Sequence, residues 1–245
     1  MRVNLAIAAQ RFFGLFGYHL RKLDRGVHID DSMEEQLRLV GDAVSTIFEV
    51  GAADGRDTST YANRCPKATV HAFEPLPENF AKLSAVAERE PRIVPVNMAV
   101  SSKEGISSFH VTALPDASSL FSPRSTGSTF DKYMLEENVV EVNVTTLAEY
   151  CKKKGIKDID LLKMDAQGSE LNILKSAEHL IKEKRIKLIY SEVLFMKIYE
   201  GCCQFHEVTA YLDRFNYRLH AIYNQHHNQS GQLAWADAIY LPNID

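Results

Sequence analysis

"TIFEVGAADGRDT" spans residues 46–58 of a 245-residue chain, and its reading decides the fold. Thr46 to Val50 form a short strand-type apolar run, which breaks into Gly51, Ala52, Ala53, Asp54 and Gly55 before polar residues resume. Glycine adopts backbone angles that other residues resist and lets another group approach the main chain. A helix starting near Arg56 directs its first amide groups at whatever occupies the turn. In an open parallel sheet, ligands bind beyond the carboxyl ends of the strands, where strand order reverses.

The flanking sequence supplies such a sheet. Residues 68–73, "ATVHAF", read as a second strand ending at Glu74, and Pro77 opens a helix with Phe80, Leu83 and Ala87 on one side. Residues 92–100 read as a third strand, with Pro95 marking an edge position or an irregular start. Residues 158–165 and 186–195 are buried strands carrying Asp165 and Glu192 at or near their ends. Leu171, Leu174, Ala177 and Ile181 mark one helix; Phe205, Val208 and Leu212 mark another. Upstream, Ser32 and Glu35 fit a capping box, followed by Leu37, Val40 and Val44 at helical spacing.

The last two strands, "FNYRLHAIYN" and "LAWADAIYL", are joined by a polar connection too short for a helical crossover, so they pair antiparallel. Strands alternating with helices elsewhere give an α/β fold, a doubly wound, mostly parallel sheet covered on both faces. Residues 105–145 break the alternation: two half-exposed strands enclose a Ser-rich stretch from 112 to 138, a length usual for functional or disordered loops. The expected organisation is a basic helical extension over 1–40 and one domain over 41–245 with 105–145 inserted.

A net charge of −4 gives no general field for nucleic acid. Residues 1–26 carry five basic residues against one acid, with Leu5, Ile7, Phe12, Phe13, Leu15, Phe16 and Leu20 as an apolar face. Such a helix can lie on a membrane surface, or pack on its own domain or a twin subunit. Cys65, Cys151, Cys202 and Cys203 lack zinc spacing and read as reduced thiols of a cytoplasmic protein.

The ligand's chemistry follows from what is missing. There is no phosphate-cradling G-x-x-x-x-G-K-[ST], and the spacing of Gly51 and Gly55 is not that of a dinucleotide loop. Glu49 and Asp54 would repel a diphosphate but suit a cation. Glu74, 23 residues beyond Gly51, stands where an acid accepts ribose hydroxyls. Ribose, positive charge and no phosphate describe S-adenosylmethionine. The competing readings are a bare tight turn, an NAD-dependent oxidoreductase, and a cofactor-binding protein without turnover.

Over residues 45–242 the chain resembles FkbM-type methyltransferases. The resemblance rests on "FEVGAADG", "AFEPLPENF", "VNMAVSSKEG", "DASSL", "VTTLAEYC", "DLLKMDAQGSELNILKSA" and "LIYSEV", in that order. It implies a seven-stranded class I methyltransferase sheet ending in an antiparallel hairpin, and O-methylation of a hydroxyl on a sugar, glycolipid or natural product. It puts Glu49, Gly51, Ala52, Asp54 and Gly55 in the first cofactor loop, and Glu74 with Pro75 at the ribose. Asn97 and Ala99 fall beside the adenine, and Asp165 next to methyl transfer. Ala53 stands where the family often has asparagine, and Gln167 where glutamate is common.

Asp165 and Glu192 are therefore the candidate catalytic residues. Asp165 could hold the methionine amino group, orient the acceptor, act as base, or merely cap the helix near Ser169. Glu192 could face the same crevice or pair with Lys163. Together they could bind a divalent cation, but no metal ligand set is assigned. Phe121, Phe130 and Tyr133 could wall the acceptor or simply anchor their loop, and the histidines read as structural or solvated.

Overall fold

The computed structural model describes residues 31–127 and 129–243, together with Phe12, Phe13, Leu15 and Phe16. The chain divides into two compact units, Met1–Asp31 and Ser32–Asp245. In the first, Phe12 lies edge-on to Phe13 and Phe16; the rest of the amphipathic segment 1–26 lies outside the described residues. Among the described residues, no helix is long and apolar enough to cross a membrane.

The second unit is built on a seven-stranded sheet: β1 (Thr46–Val50), β2 (Thr69–Phe73), β3 (Ile93–Val96), β7 (Ile159–Met164), β8 (Ile186–Leu194), β9 (Tyr217–His227) and β10 (Leu233–Pro242). Their order is β3-β2-β1-β7-β8-β10-β9. The first five are parallel, and β10 runs antiparallel to both β8 and β9. This is the doubly wound sheet with a terminal hairpin that the sequence predicts. Pro95 lies in β3, at the sheet's edge, where a missing N–H does least harm.

Period two along the strands sorts the two faces. Phe48 and Val50 of β1 join Leu162 and Met164 of β7 in one core, while Ile47 and Leu161 join the other. Glu49 and Lys163 are register partners on that second face, a charged pair inside an apolar layer. Helix α1 (Ser32–Val40) packs Met33, Leu37 and Val40 on the same core as Val44 and Ile47, in one compact unit with the sheet, nine residues ahead of the boundary expected at 40. Its capping box does not form as expected: Ser32 is already helical, and the Glu35 carboxylate takes hydrogen bonds from Arg38 and meets His220 Nε2 at 2.7 Å.

Two more corrections concern continuity. The strand expected over 92–100 is two strands in two sheets, β3 and β4 (Ala99–Val100). β4 pairs with β6 (Glu136–Thr145), which pairs antiparallel with β5 (Gly105–Thr112) in a separate three-stranded sheet. The helix after β7 is likewise two, α5 (Glu170–Ser176) and α6 (Glu178–Lys182), parted at Ala177. Between β1 and β6 run α2 (Arg56–Arg64) and α3 (Pro77–Ala87); α4 (Leu147–Lys154) and α7 (Phe205–Asp213) complete the helical layers.

Candidate functional site

Strand order reverses between β1 and β7, and a crevice of about 240 Å³ opens beyond their carboxyl ends. Glu49, Gly51, Ala52, Asp54, Glu74, Pro75, Ala99 and Asp165 line it. Gly55 and Asn97 do not. Gly55 instead lets the turn close on α3, since a Cβ there would meet Leu83 Cδ1 at 3.0 Å. Asn97 clamps the chain after β2 by donating to the carbonyls of Glu74 and Pro75.

The glycine at 51 has a reason inside the protein. Its φ is +84°, and a Cβ would stand 1.9 Å from the Asp165 carbonyl oxygen. The amides of the turn are also committed: Gly51 and Ala52 donate to the Phe73 carbonyl, Ala53 to Glu74, and Gly55 to the Ala52 carbonyl. Four main-chain N–H groups of the turn are therefore already engaged within the protein. What the crevice offers instead is side-chain oxygen.

Those oxygens fall into two classes. Glu49, fully buried, accepts from Lys163 Nζ at 2.8 Å and from Thr58, and Lys163 also reaches Asp57 at 2.6 Å. Burial pushes the Glu49 carboxyl up and works against the Lys163 charge, but with two carboxylates on one ammonium the cluster is ionised, and Lys163 is held well above the usual lysine range. Lys163 is thus spoken for, and the pairing weighed for Glu192 does not occur. Arg56 is met by Asp54 at 3.0 Å.

Among the described residues, no side-chain cation forms an ion pair with the second class. Glu74 is buried and its carboxyl is pushed up to about 7, burial outweighing the amides of Leu76 and Ala53 that donate to it. Burial likewise raises Asp165 to about 6, against the pull of Lys163. Asp165 does not cap the following helix; its Oδ1 accepts from Gln167 Nε2 at 2.7 Å. Glu170 takes the amides of Ala166 and Gly168 and is raised by burial to about 7.

A second cavity, about 370 Å³, shares Asp116, Asp165 and Gln167 with the crevice and adds Glu192 to its lining. Burial, then the charges of Asp165 and Glu170, drive the Glu192 carboxyl well up. Phe130 and Tyr133 line this cavity with Trp235, whereas Phe121 packs in a neighbouring apolar cluster. Among the described residues, two buried side-chain polar atoms have no hydrogen-bond partner: Ser169 Oγ, which belongs to a residue of the crevice, and Glu192 Oε2, which belongs to a residue of the cavity. No group of three or more His, Cys, Asp or Glu able to hold a metal occurs among the described residues.

The sequence missed Gln167 and Tyr199 as parts of the site. Gln167, in a left-handed conformation (φ +51°), braces Asp165, and Tyr199 Oη stands 2.7 Å from Gln167 Oε1. No local pattern signals Tyr199; only the fold brings it there. Three of the histidines have partners within the protein: His71 meets Tyr150, His110 meets Glu136, and His226 stacks on Trp235.

Comparison with known proteins bears on this geometry. The profile of the Methyltransferase FkbM domain matches residues 49–219. The 2-O-methyltransferase NoeI of Sinorhizobium fredii is 26% identical over 162 residues, 63% of this chain and 65% of that protein. The 31-O-demethyl-FK506 methyltransferase FkbM of Streptomyces tacrolimicus is 30% identical over 170 residues, 60% of this chain and 64% of that protein. The match thus spans just under two thirds of either relative.

Proposed function

Since the chain belongs to the FkbM methyltransferase domain family, we propose that it transfers a methyl group from S-adenosylmethionine to a hydroxyl of a small-molecule acceptor. One observation carries this reading: Glu74, buried, and Asp165, half-buried, present carboxylates to a crevice whose two cations are already paired within the protein. Such a lining attracts a cation and repels a diphosphate. The NAD-dependent alternative is therefore disfavoured.

Glu74 is the ribose ligand, its two oxygens fixed by backbone amides and each still able to accept a hydroxyl. Met98, Ala99 and Val100 offer the apolar wall for the base. Asp165, at the junction of crevice and cavity, faces the positive end of the cofactor. When bound, S-adenosylmethionine supplies the methyl: the O–CH₃ bond forms as the S–CH₃ bond breaks, the electron pair remaining on sulfur. The hydroxyl's proton passes to the Asp165–Glu192 pair, which retains a negative charge at neutral pH because Asp165 ionises at about 6. Alignment of acceptor and donor supplies much of the acceleration, up to about 7–11 kcal/mol in favourable systems. The four cysteines are free and buried, in keeping with a reducing cytoplasm.

Thermal unfolding with the demethylated product tests the assignment. S-adenosylhomocysteine should raise the melting temperature by several degrees, and NAD should leave it unchanged. Glu74→Ala should weaken S-adenosylhomocysteine about tenfold or more, the loss of hydrogen bonds to a carboxylate. Stabilisation by NAD alone would discard the reading.

A further inference from the structure

We propose that the cavity over Glu192 takes an acceptor whose hydroxyl is carried on an apolar body, and that this hydroxyl donates its hydrogen bond to Glu192 Oε2. The inference rests on the methyl-transfer reading and adds the acceptor's class to it. The walls are Leu114, Phe130, Tyr133, Met134, Ile198 and Trp235. The polar groups among the lining are few, with Glu192, Asp165 and Gln167 grouped where the cavity adjoins the crevice. Mostly apolar walls with a few convergent polar groups are the usual composition of a small-molecule site.

The polar groups are not interchangeable. Gln167 is committed to Asp165 and Tyr199, and Thr126 to Asp131. Glu192 Oε2 has no partner at all. A buried carboxyl oxygen left without a hydrogen bond is costly, so a single donor from a ligand is the natural complement. A free sugar fits less well, because its other hydroxyls would be stripped of water against Leu114, Phe130, Met134 and Ile198. The loop that forms one wall is itself built: Asp131 collects the amides of Thr126 and Gly127 and the hydroxyls of Ser125 and Thr126. Phe130, its neighbour, is thereby set edge-on to Trp235, ring centroids 4.6 Å apart.

Trp235 is the only tryptophan of the chain, so its emission reports this cavity directly. The full chain, saturated with S-adenosylhomocysteine, is titrated with decahydro-2-naphthol, one hydroxyl on an apolar body, and in parallel with D-glucose, hydroxyls without one. Decahydro-2-naphthol should change the Trp235 emission saturably, at concentrations at least about tenfold below any response to glucose. Glu192→Leu should weaken it about tenfold, whereas Glu192→Gln, which keeps an acceptor oxygen, should stay within about threefold. A glucose response at equal or lower concentration, silence toward decahydro-2-naphthol, or unchanged affinity in Glu192→Leu would each overturn the assignment. If Glu192→Leu does not fold, the wild-type pair of titrations and Glu192→Gln decide. The melting shift with S-adenosylhomocysteine separates the two readings. A retained shift with a failed titration removes only the acceptor class; no shift removes the methyl-transfer reading and this inference with it.

Discussion

Two carboxylate clusters sit near the ends of neighbouring strands, each built around a fully buried glutamate, Glu49 in one and Glu170 in the other, and opposite in their chemistry. In one, Glu49 and Asp57 close on Lys163. In the other, burial and the charge of Asp165 raise the proton affinity of Glu170, and burial with the charges of Asp165 and Glu170 raises that of Glu192. Burial is common to both; the presence of a cation is what separates them. A buried acid with its countercharge beside it is part of the fold. A buried acid held only by amides and a glutamine waits for something else to answer it, and here a sulfonium and a hydroxyl are what the adjoining cavities would admit.

The sharpest way to break this comparison is to strip the paired cluster of its cation. Lys163→Met leaves Glu49 buried with only Thr58 to satisfy it, a change that costs about 3–5 kcal/mol in comparable buried pairs. Urea denaturation should show that loss. The double change Lys163→Met with Glu49→Leu should recover most of it, since two apolar side chains replace two charges. A single variant as stable as the wild type would mean the pair is no structural unit, and the contrast would dissolve.

The unpaired cluster should reveal itself through pH. Burial raises Glu170 to about 7, so the folded protein binds that proton more strongly than the unfolded chain does, near 4.3. Its contribution is complete below about pH 4 and is lost as pH climbs through about 7. His71, held near 4 by burial, gives the opposite slope, which makes the difference between wild type and Glu170→Gln the quantity to measure. The variant should gain about 1–3 kcal/mol relative to wild type between pH 4.5 and 7.5. The Lys163 ammonium adds no slope in this window, because it stays protonated far above it. A difference flat with pH would show Glu170 to be ordinary.

The sequence disclosed the parts of this contrast but not their pairing. The sheet, its hairpin and the edge position of Pro95 were legible because apolar periodicity and proline chemistry are local. Gly51 was legible as a constrained position, yet its constraint is the Asp165 carbonyl, a neighbour 114 residues away that no local pattern reveals. The same distance hid the partner of Lys163: β1 and β7 had to be placed side by side before Glu49, rather than Glu192, could claim it. The break of residues 92–100 into two sheets also depends on a distant strand, β6, which draws Ala99 and Val100 away. Tyr199 carries no signal at all until the loops are folded over the strand ends.

That tyrosine offers the smallest and most local adjustment. Its Oη lies 2.7 Å from Gln167 Oε1 and 2.8 Å from the Ala117 carbonyl, with one proton for two acceptors. It therefore ties the loop after β5 to the glutamine that braces Asp165. Tyr199→Phe keeps the ring, which is almost wholly buried, and removes only the hydroxyl. Stability should fall by about 1 kcal/mol, the net worth of one such hydrogen bond. If the acidic cluster is positioned by neutral hydrogen bonds as the Glu49 cluster is by charge, the freed glutamine should let Asp165 reorient. S-adenosylhomocysteine affinity would then weaken by about two- to fivefold, beyond what the stability loss alone produces in a protein that remains folded. Unchanged affinity alongside the stability loss would assign Tyr199 to packing and leave Gln167 fixed by its own strained backbone.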